Sequence, residues 1–170
     1  IGWSGCPDAT AESPTVTRGW QCALTVPREL SIRDGKLCQQ PAHEIERMRG
    51  NCIRATGGET VEEPGRLFDL VVSCEGAKMV ELEIRKGVFV RYTDGMLTLD
   101  MGDEGYGRDR RSIELSELRD LRVLSDTTMV EIFANGGEAA LTSRTYSPAV
   151  PAMELHAEGA ASMDFYRLAH

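Results

Sequence analysis

The side chains best able to do chemistry in this 170-residue chain are its carboxylates: 27 Asp and Glu stand against 19 Lys and Arg. Two carboxylates held across a glycosidic bond can hydrolyse it, one protonating the leaving oxygen while the other attacks the sugar or activates water. By position the candidates are Asp8, Glu29, Asp126 and Glu131. No spacing couples any two of them, and the plainer reading is acids facing solvent on strands and turns. His43, His156 and His170 are too scattered for a metal cluster. His43 falls on the surface of a predicted helix, and His170 is the terminus. The serines sit in no GxSxG elbow, and no GxGxxG or phosphate loop occurs. Residues 102–107, GDEGYG, are glycine-rich but acidic; they would repel phosphate and read as a long hairpin loop.

Cys6, Cys22, Cys38, Cys52 and Cys74 are odd in number and contain no CxxC pair, so zinc-ribbon and redox motifs are unsupported. They read as buried free thiols in a reducing cytosol. The net charge of −8 argues against nucleic acid, which needs a basic face, and against anionic membrane surfaces. No apolar run is long enough to span a bilayer, and no signal peptide is present. The chain begins at Ile1 rather than Met, which suggests a fragment.

The elements that would position these residues are almost all strands. Residues 1–4 can end one, residues 5–18 read as a loop, and residues 21–26 form a short strand before Pro27. Residues 30–32 and 36–40 flank Arg33-Asp34-Gly35, an Asp-Gly hairpin signal. Residues 41–50, PAHEIERMRG, are the clearest helix: Pro41 suits the first turn, acids lie early, bases lie late, and Gly50 can close it. Strands follow at 67–73, 78–85, 88–92, 96–101, 111–115, 121–124 and 162–168, with a possible helical turn at 116–119. In 127–146, TTMVEIFANGGEAALTSRTY, Val130, Ile132 and Ala134 alternate with Glu131 and Phe133 before an Asn-Gly-Gly turn, the pattern of a core hairpin. Strands at this density imply an all-β sandwich or barrel. Sugar-binding modules stack ring faces on exposed aromatics. Both tryptophans, Trp3 and Trp20, lie in the first 20 residues, and the other aromatics fall mostly on strands, where core packing is the default.

Three stretches, in order, carry a resemblance: GWQCALTVPRELSIRDGKLCQQPAHEIERMR (19–49), GRDRRSIELSELRDLRVLSD (107–126) and VEIFANGGEAALTSRTY (130–146). Together the chain resembles the C-terminal region of glycoside hydrolase family 32, the invertases, sucrose-6-phosphate hydrolases and related β-fructofuranosidases. The resemblance implies a two-sheet antiparallel β-sandwich preceded by a remnant of a fifth β-propeller blade and a short linker helix. Residues 1–40 would end the blade, 41–50 form the linker and 51–170 the sandwich. Family members act through an Asp in a WMNDPNG-like motif, an Asp in an RDP motif and a Glu in an EC motif. None of the three occurs here, so the resemblance assigns no catalytic residue to this chain. It implies no cofactor and no metal. Trp3, in IGWSG, matches an aromatic at the rim of the fructose pocket and is the one substrate-binding candidate. Arg28 and Glu29 read as a structural pair fixing the end of the blade. The expectation is a cytoplasmic fragment of a sucrose- or fructoside-cleaving enzyme, inactive alone, with a supporting or homo-oligomer-forming role. The alternative is a free-standing sugar-binding sandwich.

Overall fold

The computed structural model describes residues 3–4, 14–105 and 109–169. Asp8, Cys6, Tyr106 and His170 lie outside the described residues, as does the side chain of Trp3. In chain order the strands are β1 (Trp3–Ser4), β2 (Ala23–Leu24), β3 (Arg28–Arg33), β4 (Lys36–Pro41), β5 (Arg49–Thr56), β6 (Thr60–Glu62), β7 (Phe68–Ser73) and β8 (Met79–Arg85). There follow β9 (Val88–Thr93), β10 (Met96–Asp100), β11 (Arg110–Glu114), β12 (Asp120–Ser125), β13 (Met129–Ala134), β14 (Ala139–Arg144), β15 (Ala152–Glu154), β16 (His156–Glu158) and β17 (Ser162–Leu168).

Two antiparallel sheets form the sandwich. One has the order β11-β10-β9-β8-β16, the other β14-β13-β12-β7-β17-β5. Alternation builds the core. Phe68, Leu70 and Val72 of β7, Val123 of β12, Ile132 of β13 and Phe165 of β17 point inward from one sheet. Leu82, Val90, Leu97 and Leu99 meet them from the other. Phe68 and Phe165 sit with centroids 5.3 Å apart, and each such buried side chain contributes roughly 1.5–3 kcal/mol. The pair β6–β15 adds Val61 and Met153 to the same core.

Tight turns set the register. Asp34-Gly35 and Asp94-Gly95 both take positive φ at their two central residues, as type I′ hairpins require. At the third, Asn135 (φ 52) uses its side chain as well: Oδ1 accepts from the Arg119 amide at 2.9 Å and Nδ2 donates to the Glu117 carbonyl at 2.9 Å. Those two bonds hold residues 117–119 in irregular backbone, where the sequence allowed a helical turn.

The linker helix is a 3-10 helix, His43–Met48. The predicted ends are strand instead: Pro41 closes β4, and Arg49 and Gly50 open β5, because β5 pairs along β17. Four strands, β5, β6, β15 and β16, were not legible as strands. A bulge between β8 and β9 at Glu83/Arg85 turns Arg85 inward beside Ile84. Arg85 is fully buried and, among the described residues, makes no ion pair. It donates to Ser125 Oγ at 2.8 and 3.0 Å, to the Arg66 carbonyl at 2.8 Å and to the Asp126 carbonyl. Burial pushes its guanidinium down to about 10. Among the described residues no helix is long and apolar enough to cross a membrane.

Candidate functional site

Every residue of β13 is buried, on both faces. Inward residues meet the other sheet; the outward ones are covered by the segment from β2 to the 3-10 helix. Glu131, only 1% exposed, is the anchor. One carboxylate oxygen accepts from the Val26 amide at 2.7 Å and the other from Arg28 Nη2 at 2.5 Å. Arg28 also donates to Thr142 Oγ1 at 2.7 Å and to Gln39 Oε1 at 3.0 Å, and its guanidinium lies 5.1 Å from the Phe133 ring centroid. A buried charge is tolerated only when paired and hydrogen-bonded, and this one is both.

A second lock joins the hairpin β3–β4 to the β13–β14 turn. The Gln39 amide donates to the Gly137 carbonyl at 2.9 Å, and Gln40 Nε2 donates to the Gly136 carbonyl at 2.7 Å. Arg33 bonds the Gly136 carbonyl and Lys36 pairs with Glu138. Gly137 is required here: a Cβ would meet the Gln39 oxygen at 2.0 Å. A third lock is Asp69, fully buried on β7, which accepts from Arg49 Nε at 2.7 Å and from Arg122 at 2.7 and 2.9 Å. Arg122 reaches Glu46 of the 3-10 helix at 3.3 Å.

Two cavities of about 310 Å³ flank this interface. One is lined by Gln40, Arg49, Arg122, Phe133, Asp164 and Tyr166. The other is largely apolar, with Leu24, Met48, Leu124 and Met129 beside Asp126 and Glu131. Two of the four candidate carboxylates thus border one cavity. They do not form a hydrolytic pair, because both Glu131 oxygens already accept from fixed donors. Asp126 Oδ1 accepts from the Thr127 amide at 2.5 Å. Glu29 is exposed and accepts from His43, at 3.1 Å from the amide and 2.8 Å from Nδ1. Arg28 and Glu29 do fix the segment, but not as a pair with each other. Adjacent strand residues point to opposite faces, so Arg28 finds Glu131 and Glu29 finds His43. Trp3 lies in β1, with its backbone paired to Leu24.

The cysteines divide. Cys38 and Cys74 are buried free thiols, Cys22 is half-buried, and Cys52 is exposed on β5, which corrects the expectation that all are buried. Burial pushes the Cys74 thiol up to about 12. The sequence reading missed Asp69, Arg49 and Arg122. The one available signal was a lone Asp inside the apolar run LFDLVV.

The molecule is, then, an all-β sandwich with a strand hairpin seated on the outer face of its larger sheet. Residues 78–168 match the family described as glycosyl hydrolases family 32 C terminal, and residues 1–41 match the glycosyl hydrolases family 32 N-terminal domain. The chain belongs to glycosyl hydrolase family 32. It is 36% identical over 154 residues to a raffinose invertase of Escherichia coli, covering 80% of this chain and 32% of that protein. It is 32% identical over 159 residues to a sucrose-6-phosphate hydrolase of Salmonella typhimurium, covering 88% and 31%. The chain spans about a third of the length of these curated relatives. The fold matches the structure of a sucrose-6-phosphate hydrolase from Lactobacillus gasseri with a TM-score of 0.82 at 21% identity, covering 98% of this chain and 38% of that one. It also matches a Bombyx mori β-fructofuranosidase variant in complex with sucrose, with a TM-score of 0.74 at 17% identity, covering 94% and 36%.

Proposed function

We propose that this chain is the C-terminal part of a β-fructofuranosidase-type hydrolase of sucrose, sucrose 6-phosphate or fructans, and that by itself it supports rather than catalyses. Residues 1–40 end the last blade of the catalytic propeller, 41–50 link, and 51–170 form the supporting sandwich. The observation that carries this reading is the buried Glu131. It is spent on the Val26 amide and Arg28, so the most enclosed candidate acid among the described residues holds a neighbouring segment in place instead of facing a substrate. Trp3 would line the fructose pocket once the preceding blades stand beside it. The enzyme works in the cytoplasm on an imported sugar, and its sandwich can also serve a homo-oligomer interface. The test is the coding DNA upstream of the Ile1 codon. The reading expects an open frame with WMNDPNG-like, RDP and EC motifs, and a stop codon directly upstream would refute it.

A second reading, a sugar-binding sandwich, is favoured by the cavity where Tyr166 and Phe133 meet Arg49, Arg122 and Asp164, since an aromatic ring beside hydrogen-bonding groups suits a sugar. Saturable binding of sucrose, inulin or levan that is lost in Tyr166→Ala would establish it.

A further inference from the structure

The scattered histidines gave no metal cluster in sequence, yet folding brings one of them between two carboxylates. Glu29 of β3 and the consecutive pair His43 and Glu44, at the start of the 3-10 helix, place one ligand atom each within 4.8 Å of one another. Glu29 Oε1 lies 2.8 Å from His43 Nδ1, and Glu44 Oε2 lies 3.4 Å from the same nitrogen.

We propose that Glu29, His43 and Glu44 form a binding site for a divalent transition-metal ion of the zinc class, tying the β3–β4 hairpin to the linker. Three observations support this. First, the donor set is one imidazole nitrogen and two carboxylate oxygens, which suits zinc-like ions better than magnesium or calcium, whose ligands are oxygens alone. Second, the spacing fits. Ligands about 2.1 Å from a metal stand about 3.0 Å apart at a right angle and about 3.4 Å apart at the tetrahedral angle, and the oxygens of Glu29 and Glu44 stand 2.8 and 3.4 Å from His43 Nδ1. Third, Glu29 is preset: its Oε1 is held by the His43 backbone amide at 3.1 Å, so the carboxylate keeps its place when the ring nitrogen exchanges a proton for a metal. All three side chains are exposed, which gives the ion an entry path and leaves its remaining positions to water.

The test is a Zn²⁺ titration of the full chain in a background with Cys6, Cys22 and Cys52 changed to Ser, which removes the non-buried thiols and the one outside the described residues. It is read by calorimetry and by the thermal unfolding midpoint. One saturable site is expected, with a midpoint that climbs as Zn²⁺ is added. His43→Ala and Glu44→Gln should each weaken binding about tenfold or more, while His156→Ala leaves it unchanged. Because His43 and Glu44 are exposed, both variants keep the fold, and circular dichroism without metal checks this. Absence of saturable binding, or equal affinity in His43→Ala, would overturn the proposal.

Discussion

Replacing Glu131 by Ala should strip the docked segment of its buried anchor. The side chains of Glu131 and Arg28 are only 2% and 14% exposed. Removing the acid leaves a mostly buried guanidinium without its counter-ion, and Arg28 Nε already has no acceptor among the described residues. It also orphans the Val26 amide. Breaking a buried pair from one side costs roughly 3–5 kcal/mol, and an unsatisfied buried amide adds about 1–3 kcal/mol, though the two overlap. With a urea dependence of roughly 2 kcal/mol per molar, the lower figure alone moves the denaturation midpoint down by about 1.5 M. If the loss is local, the segment from β2 to the 3-10 helix detaches first, and limited proteolysis will cut between residues 24 and 48 while the sandwich persists. Changing both partners, Arg28→Met with Glu131→Leu, should recover most of the loss, because no charge is then left unpaired. A Glu131→Ala protein with a midpoint within about 0.3 M of the parent and an uncut segment would refute the idea that this pair holds the interface.

Gly137→Ala should release the hairpin to protease, because its methyl strikes the Gln39 backbone, whereas Gly136→Ala meets only the flexible Arg33 and Gln40 side chains and should be milder. Arg85→Ala should cost about 3 kcal/mol or more through the cavity and the stranded acceptors, with Arg85→Met milder, as read by urea melts. The Glu29–His43 contact should be pH-dependent. Hydrogen bonding to His43 lowers the Glu29 carboxyl below 4.5, and hydrogen bonding to Glu29, then the charge of Glu44, raises His43 above 6.5. The raised base contributes fully below 6.5 and loses its contribution as pH climbs through its folded value. The lowered acid contributes above 4.5 and loses its contribution as pH falls through its folded value. The contact is therefore at full strength between 4.5 and 6.5, and an NMR titration should find His43 above 6.5 and returning toward it in Glu29→Gln.

Local chemistry was legible and long-range partnership was not. Asn135-Gly136-Gly137, Asp34-Gly35 and Asp94-Gly95 announced their turns because a positive φ restricts residue choice. Alternation in 130–134 gave the right inward face. It could not reveal that the outward residues Glu131 and Phe133 are covered too, since the cover comes from Val26 and Arg28, more than 100 residues away in sequence. Strand β5 was hidden because its pattern is nearly all polar or small (RGNCIRAT), and it is a strand through its pairing with β17. Glu29 and His43 are only 14 residues apart, but they lie on different elements, a strand and the 3-10 helix beyond the next strand, and no local periodicity joins them.

We propose that this chain is a support carrying a docked segment, with no hydrolytic chemistry of its own. The direct measurement is fructose release from sucrose and from sucrose 6-phosphate by the purified chain. No release above the uncatalysed rate is expected. Saturable hydrolysis that disappears in Glu131→Gln or Asp126→Asn would contradict it.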